Sequence, residues 1–224
     1  MRPWKKALLG CGVAATVLYI ALDAIAAVRY RGYSYTGQTI SELSAVGAPT
    51  RPLWIPVALV YSTLMVAFGA GAWASAGKAT ALRLVSVIAG AVGAVGIVAW
   101  PFAPMHQRAE LEQGGGTFAD TMHLVLSMID TLLFLAAIGI GVATGGRRFR
   151  RYSVITLIAV LAGGFLTAVQ GGKVARNERT PWMGITERIA VLGSMLWFAV
   201  LGVVLWRRAS NKAAIPYGSR RGRG

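Results

Sequence analysis

Residues 84–100 read LVSVIAGAVGAVGIVAW, an unbroken run from Leu84 to Trp100 with no charged side chain and with Gly90, Gly93 and Gly96 at helical spacing. A helix apolar on every side belongs in lipid or in a deep core. Recurrence decides between the two, and comparable runs fill the chain at Ala7–Val28, Leu53–Gly77, Thr121–Thr144, Ser153–Gly172 and Met183–Trp206. A hydrocarbon layer of ~30 Å takes roughly 20 helical residues, with about 17–25 tolerated. An α-helix satisfies its own backbone in that layer. A membrane β-strand would instead alternate polar and apolar residues over about ten positions, and no such alternation occurs. The fold expected is an all-α integral membrane protein, a six-transmembrane-helix bundle. The small residues of the third span, with Gly69, Gly71, Gly163 and Gly164, predict close helix–helix approach in a solvent where hydrophobicity gives no drive for association.

Composition excludes the other classes. Of 224 residues, 55% are hydrophobic and 14% charged, which leaves too little polar surface for a single soluble domain and too much apolar matter for disorder. Cys11 stands alone, so no disulfide framework exists. The 23 Lys and Arg then orient the bundle. With the N-terminus inside, 15 of them fall on the inner side: Arg2, Lys5, Lys6, Lys78, Arg83, Arg147, Arg148, Arg150, Arg151 and the C-terminal tail. The positive-inside bias predicts cytoplasmic N- and C-termini in the cell membrane, which an even number of spans requires. All eight acids and both histidines fall in outer loops or the outer halves of spans. Acids contribute little to topology, so that one-sidedness points to a polar site opening outward.

Arg2, Lys5, Lys6, an apolar run and Ala24–Ala27 imitate a secretory signal, but cleavage there would leave five helices and break the charge parity. Residues 1–206 are read as the membrane domain. Residues 207–224, rich in Arg and Gly, are read as a basic disordered cytoplasmic tail on anionic inner-leaflet headgroups rather than as a nucleic-acid arm. The sequence sets no oligomeric state.

Asp120, His123, Ser127 and Asp130 share one face of the fourth span. Asp130 lies near the midplane, where an ionisable group needs a partner or a wet cavity. Thr16, Tyr19, Asp23 and Tyr30 form a polar stripe on the first span, and Thr186-Glu187-Arg188 opens the sixth. In the first outer loop, Thr39-Ile40-Ser41-Glu42 fits a capping box, with Gly47 and Pro49 as a stop. A short interfacial helix is expected there, placed to act as a lid. The bland alternatives stay open: Glu187 and Arg188 as a helix-start ion pair, His123 as a packing residue, Asp130 as an interhelical tie, His106 as a solvated loop residue.

The string Thr39-Ile40-Ser41-Glu42-Leu43-Ser44-Ala45-Val46-Gly47-Ala48-Pro49 resembles the hallmark of domain-of-unknown-function family 998, small multi-pass prokaryotic membrane proteins. Pro101-Phe102 followed by His123, and Trp182-Met183-Gly184-Ile185-Thr186-Glu187-Arg188 with Trp197 downstream, agree with it. The resemblance implies a six-helix bundle with family motifs at Ser41, Glu42, His123, Glu187 and Arg188, and no settled activity.

Three functions follow as candidates. A membrane enzyme acting on a lipid or isoprenoid-linked substrate would use His123 as general acid or base, oriented by Glu187 or Asp130. Glu42, Ser41, Asp23 and Arg188 would hold the substrate, Arg188 through a phosphate or carboxylate. Two histidines without HxxxH or HExxH spacing give no metal set, and no cofactor is specified. A transporter needs a path through both halves, and the inner halves hold no acid and no histidine, which argues against proton-coupled transport and leaves a lipid flippase open. A non-catalytic accessory subunit would use the outer cluster to bind a partner helix or lipid head.

Overall fold

The computed structural model describes residues 2–174, 176 and 178–214, with side chains to residue 210. The order is α1 Pro3–Arg29, α2 Arg51–Ala76, α3 Thr80–Val98, a short α4 Arg108–Glu112, α5 Phe118–Gly141, α6 Arg147–Val174 and α7 Met183–Ala214. Single 3-10 turns lie at Ser41–Ser44 and Trp100–Phe102, and no strand occurs among the described residues. Six helices are long and apolar enough to cross a membrane, in the six places the apolar runs predict.

The boundaries differ where apolarity is a poor guide to backbone. α6 begins at Arg147, ahead of the apolar run from Ser153, because arginine is a good helix former and its long stem can carry the charge out of the apolar layer. α5 stops at Gly141, three residues before the predicted end. α7 continues past Trp206 to Ala214; the remainder of the stretch expected as a basic tail lies outside the described residues. α4 has no counterpart in the apolar pattern. Pro3 and Pro52 sit in the first turns of α1 and α2, where a missing N–H costs nothing.

Each long helix packs on the next, and α7 returns to α1, closing a ring. α7 also touches α2 and α5, so it is the most enclosed of the six. The glycines do what their spacing predicts. A Cβ at Gly69 would strike the backbone of Ser86 and Gly90, and one at Gly93 would strike Ser62 and Val66, so α2 and α3 meet nearly backbone to backbone. Gly12 and Gly202 make room for Phe68 at the centre, beside Phe198, Trp197 and Leu201.

One end of the ring is basic. Lys5 Nζ donates to Ala74 O (2.8 Å) near the C-terminus of α2, and Arg208 donates to Thr144 O (2.8 Å) just past α5. Lys6 lies 5.1 Å from the Trp206 ring centre. These cations serve carbonyls that a helix leaves unpaired at its C-terminal end. They also place the start of α1 and the far part of α7 at the same end of the bundle. The acids sit toward the opposite end, described next, except Asp130, which lies midway along α5.

Candidate functional site

The loop between α1 and α2 is seated on the start of α7. An α-helix opens with N–H groups that lack an internal partner. Here Gly184 N–H donates to Thr36 O (2.8 Å) and Ile185 N–H to the same oxygen (3.3 Å). Gly184 is required by this approach, since a Cβ there would collide with the carbonyl oxygens of Tyr35 and Gln38. One turn on, Arg188 makes a two-pronged pair with Asp23 of α1, Nε to Oδ2 at 2.9 Å and Nη2 to Oδ1 at 2.8 Å. The remaining N–H groups reach Tyr33 Oη (2.7 Å) and the carbonyls of Tyr35 (2.9 Å), Gly184 (3.1 Å) and Gln38 (3.2 Å). Its guanidinium lies 3.7 Å from the Tyr35 ring centre, and Tyr35 Oη donates to Asp23 Oδ2 (3.0 Å). Asp23 is 1% and Arg188 5% exposed. Burial pushes the Tyr33 phenol far above its ordinary value despite the adjacent guanidinium, and it raises Tyr35 as well, helped by Asp23.

Glu187, beside Arg188, faces the loop and accepts from the backbone N–H of Ile40; Ser41 Oγ lies 3.5 Å from its other oxygen. Glu42 turns the other way. It accepts from Thr39 N–H (3.0 Å), as the capping-box spacing predicts, and from Gln38 Nε2 (2.7 Å). The segment it starts is a four-residue 3-10 turn rather than an α-helix, and Ile40 and Leu43 bury against Leu22, Ala26 and Trp54. Arg108 of α4 completes Glu42, with Nη2 2.7 Å from Oε1, and also donates to Thr180 Oγ1 (2.6 Å) and Gly37 O (3.2 Å).

A second polar group sits between the end of α3 and α5. His123 Nδ1 lies 3.0 Å from Ala103 O, so that nitrogen carries the proton and Nε2 is the free lone pair. Asp130 accepts from Trp100 Nε1 (2.9 Å), and the Trp100 ring meets His123 edge to face at 4.8 Å. Asp120 caps α5 by accepting from Thr117 N–H (2.8 Å) and holds the His106 N–H (2.7 Å) and ring (2.8 Å). His123 Nε2, Asp130 Oδ1 and Tyr61 Oη are buried without a hydrogen-bond partner among the described residues.

The structure thus brings Asp23, Ser41, Glu42, Glu187 and Arg188 into one cap joining α1, the first loop and α7. It sets His123 and Asp130 apart on α5. The orienting group of His123 is a backbone carbonyl, with Asp130 serving Trp100. Arg188, expected to hold an anionic ligand, already has its N–H groups engaged by protein oxygens. Arg108, Trp100 and Tyr33 are members of these polar clusters that sequence reasoning missed; one turn's spacing from Arg108 to Glu112 in a polar loop was the available sign. No group of three or more His, Cys, Asp or Glu able to hold a metal occurs among the described residues.

Two adjoining clefts open on either side of Arg108. The first, about 320 Å³, is bordered by Gly37, Gln38, Arg108, Glu112, Arg179 and Thr180. The second, about 250 Å³, shares Gln38, Arg108 and Glu112 and adds Tyr30, Glu42 and Gln107. Both face away from the basic end of the bundle.

The chain belongs to the family described as protein of unknown function DUF998, whose model matches residues 13–204. No curated protein and no solved structure matches it.

Proposed function

We propose that this member of a family of unknown function is a multi-pass protein of the cell membrane, with both termini cytoplasmic, that binds the polar head of a lipid- or isoprenoid-type ligand from the outer side. The observation that carries the reading is the pair of clefts flanking Arg108: hollows of mixed polar and apolar lining on the end of a six-span bundle, at the level where α6 ends and α7 begins. The sidedness is supported by the concentration of Lys and Arg at the other end. The ion-paired cap beneath acts as a fixed floor, since Glu42 holds Arg108 and Arg188 holds the loop. Anionic inner-leaflet lipid is the partner proposed for the basic end.

Membrane chemistry at His123 is the second reading, favoured by one observation. A neutral imidazole with its proton fixed on Nδ1 presents a buried lone pair at Nε2, and Asp130 Oδ1 is likewise unengaged. Such groups suit proton transfer. A purified sample separates the two. Lipid retained through detergent exchange, lost on Arg108→Ala and kept on His123→Gln, supports binding at the clefts; turnover of a lipid substrate abolished by His123→Gln without loss of thermal stability supports the enzyme. For sidedness, in a Cys11→Ser background, a cysteine at Gln113 should react with impermeant maleimide on intact cells and one at Lys78 only after lysis. The reverse pattern overturns the topology.

A further inference from the structure

The first cleft carries an asymmetry of charge that selects among heads. The ion pairs of its border are internal: Arg108 is taken by Glu42, and Glu178 by Arg176 (2.7 Å). Two charged side chains on the border enter no ion pair or hydrogen bond among the described residues, and they are of opposite sign. Glu112 ends α4, and Arg179 lies on the segment before α7; both border the same cleft. The neighbouring Gln38, Gly37 and Thr180 already engage Glu42, Arg108 and one another, which leaves the two border charges as the groups a ligand would meet.

An anion alone would satisfy Arg179 and face Glu112; a cation alone would do the opposite. From this placement we infer that the first cleft recognises a zwitterionic head in which a phosphate and a primary ammonium are joined by a short spacer, as in phosphoethanolamine. The inference rests on the binding function proposed above and names its ligand class. The phosphate lies toward Arg179, whose planar guanidinium suits phosphate oxygens. The ammonium, with three N–H donors, lies toward the Glu112 carboxylate. A trimethylated ammonium has no N–H to give and is held elsewhere by aromatic cages, whereas no aromatic ring borders this cleft. A glycerol head offers nothing to Glu112 and leaves the ligand's net negative charge beside it. Trp182, 62% exposed and next to Pro181 of the border, marks the boundary depth at which the acyl chains of such a ligand would leave the cleft.

The experiment is native mass spectrometry of the purified full chain in an equimolar mixture of dioleoyl phosphatidylethanolamine, phosphatidylcholine and phosphatidylglycerol. Ethanolamine lipid should be retained above the other two, and Glu112→Gln and Arg179→Gln should each weaken it about tenfold, the loss of one charge-assisted contact. Glu110→Gln, exposed on the same short helix but outside the cleft, should leave it unchanged. Each variant should keep the parent's thermal midpoint, since neither side chain holds the fold. Equal retention of phosphatidylglycerol, or equal loss on Glu110→Gln, overturns the zwitterion while leaving lipid binding in place. Retention of no lipid at all overturns the binding function itself. Displacement by excess glycerophosphoethanolamine assigns recognition to the head in either source; retention against that excess assigns the membrane lipid.

Discussion

The two ends of the bundle hold charge in different ways. At the basic end, Lys5 and Arg208 donate to helix carbonyls, and cations stand without carboxylates. At the other end, Asp23, Glu42 and Asp120 each meet a specific cation or imidazole, Asp23 through a fully buried pair and Glu42 from a buried carboxylate. A collar of positive charge needs only to be on the right side of the membrane, so its members are interchangeable. A buried pair needs both partners in fixed positions, because a lone charge away from water is costly. The ion-paired cap is therefore where a substitution should be felt, and the basic collar is where many should pass.

The sharpest way to break this contrast is Arg188→Leu. It leaves Asp23 enclosed without its cation, and a loss of about 3–5 kcal/mol in unfolding stability is expected in detergent. The double variant Asp23→Leu with Arg188→Leu should recover a large part of that loss. If it is no better than the single, the tyrosine and backbone contacts, not the charge pair, carry the cap. Next comes Arg108→Ala, which strips Glu42 of one charged partner while Thr39 and Gln38 remain; about 1.5–3 kcal/mol is expected. Nearer the basic end, Trp197→Phe removes the donation to Ser153 Oγ (2.9 Å) and leaves a small void where a fully enclosed ring stood, and should cost about 1–2 kcal/mol. Lys5→Met should cost less than about 1 kcal/mol, and a larger loss would show that the collar is as specific as the cap.

The finest probe is pH. Burial raises the Tyr33 phenol, so folding favours its protonated form. The stability this brings is complete below the unfolded phenol value of about 10 and is lost as pH rises above it. Thermal midpoints between neutral and strongly alkaline pH should fall less steeply for Tyr33→Phe than for the parent. Equal slopes would remove Tyr33 from the cap's energetics.

The sequence made the spans legible because length and apolarity are summed over many residues, and a few misplaced ends do not disturb the sum. The Gly90–Gly96 face was legible for a related reason: in lipid a periodic row of small residues has few uses other than close packing. The cap was half legible. That Asp23, Glu42, Glu187 and Arg188 share an end follows from counting positions along spans. That Asp23 pairs with Arg188, and Glu42 with Arg108, depends on ring closure and on a five-residue helix inside a polar loop, neither of which has a periodic signature. Asp120 illustrates the same limit. Its position on the face of His123 suggested chemistry, while its position three residues after Thr117 made it a cap, and only backbone geometry decides between them.

Ring closure also sets a timetable. Asp23 and Arg188 are separated by 165 positions, and a ribosome adding ~5–20 residues per second leaves roughly ten to thirty seconds between their emergence. For that interval the first helix carries a carboxyl whose eventual counterion has not yet been made, so the insertion machinery or trapped water must shelter it. Any product that stops short of α7 leaves that carboxyl with the Tyr35 hydroxyl as partner and without its cation, a state the finished chain does not share.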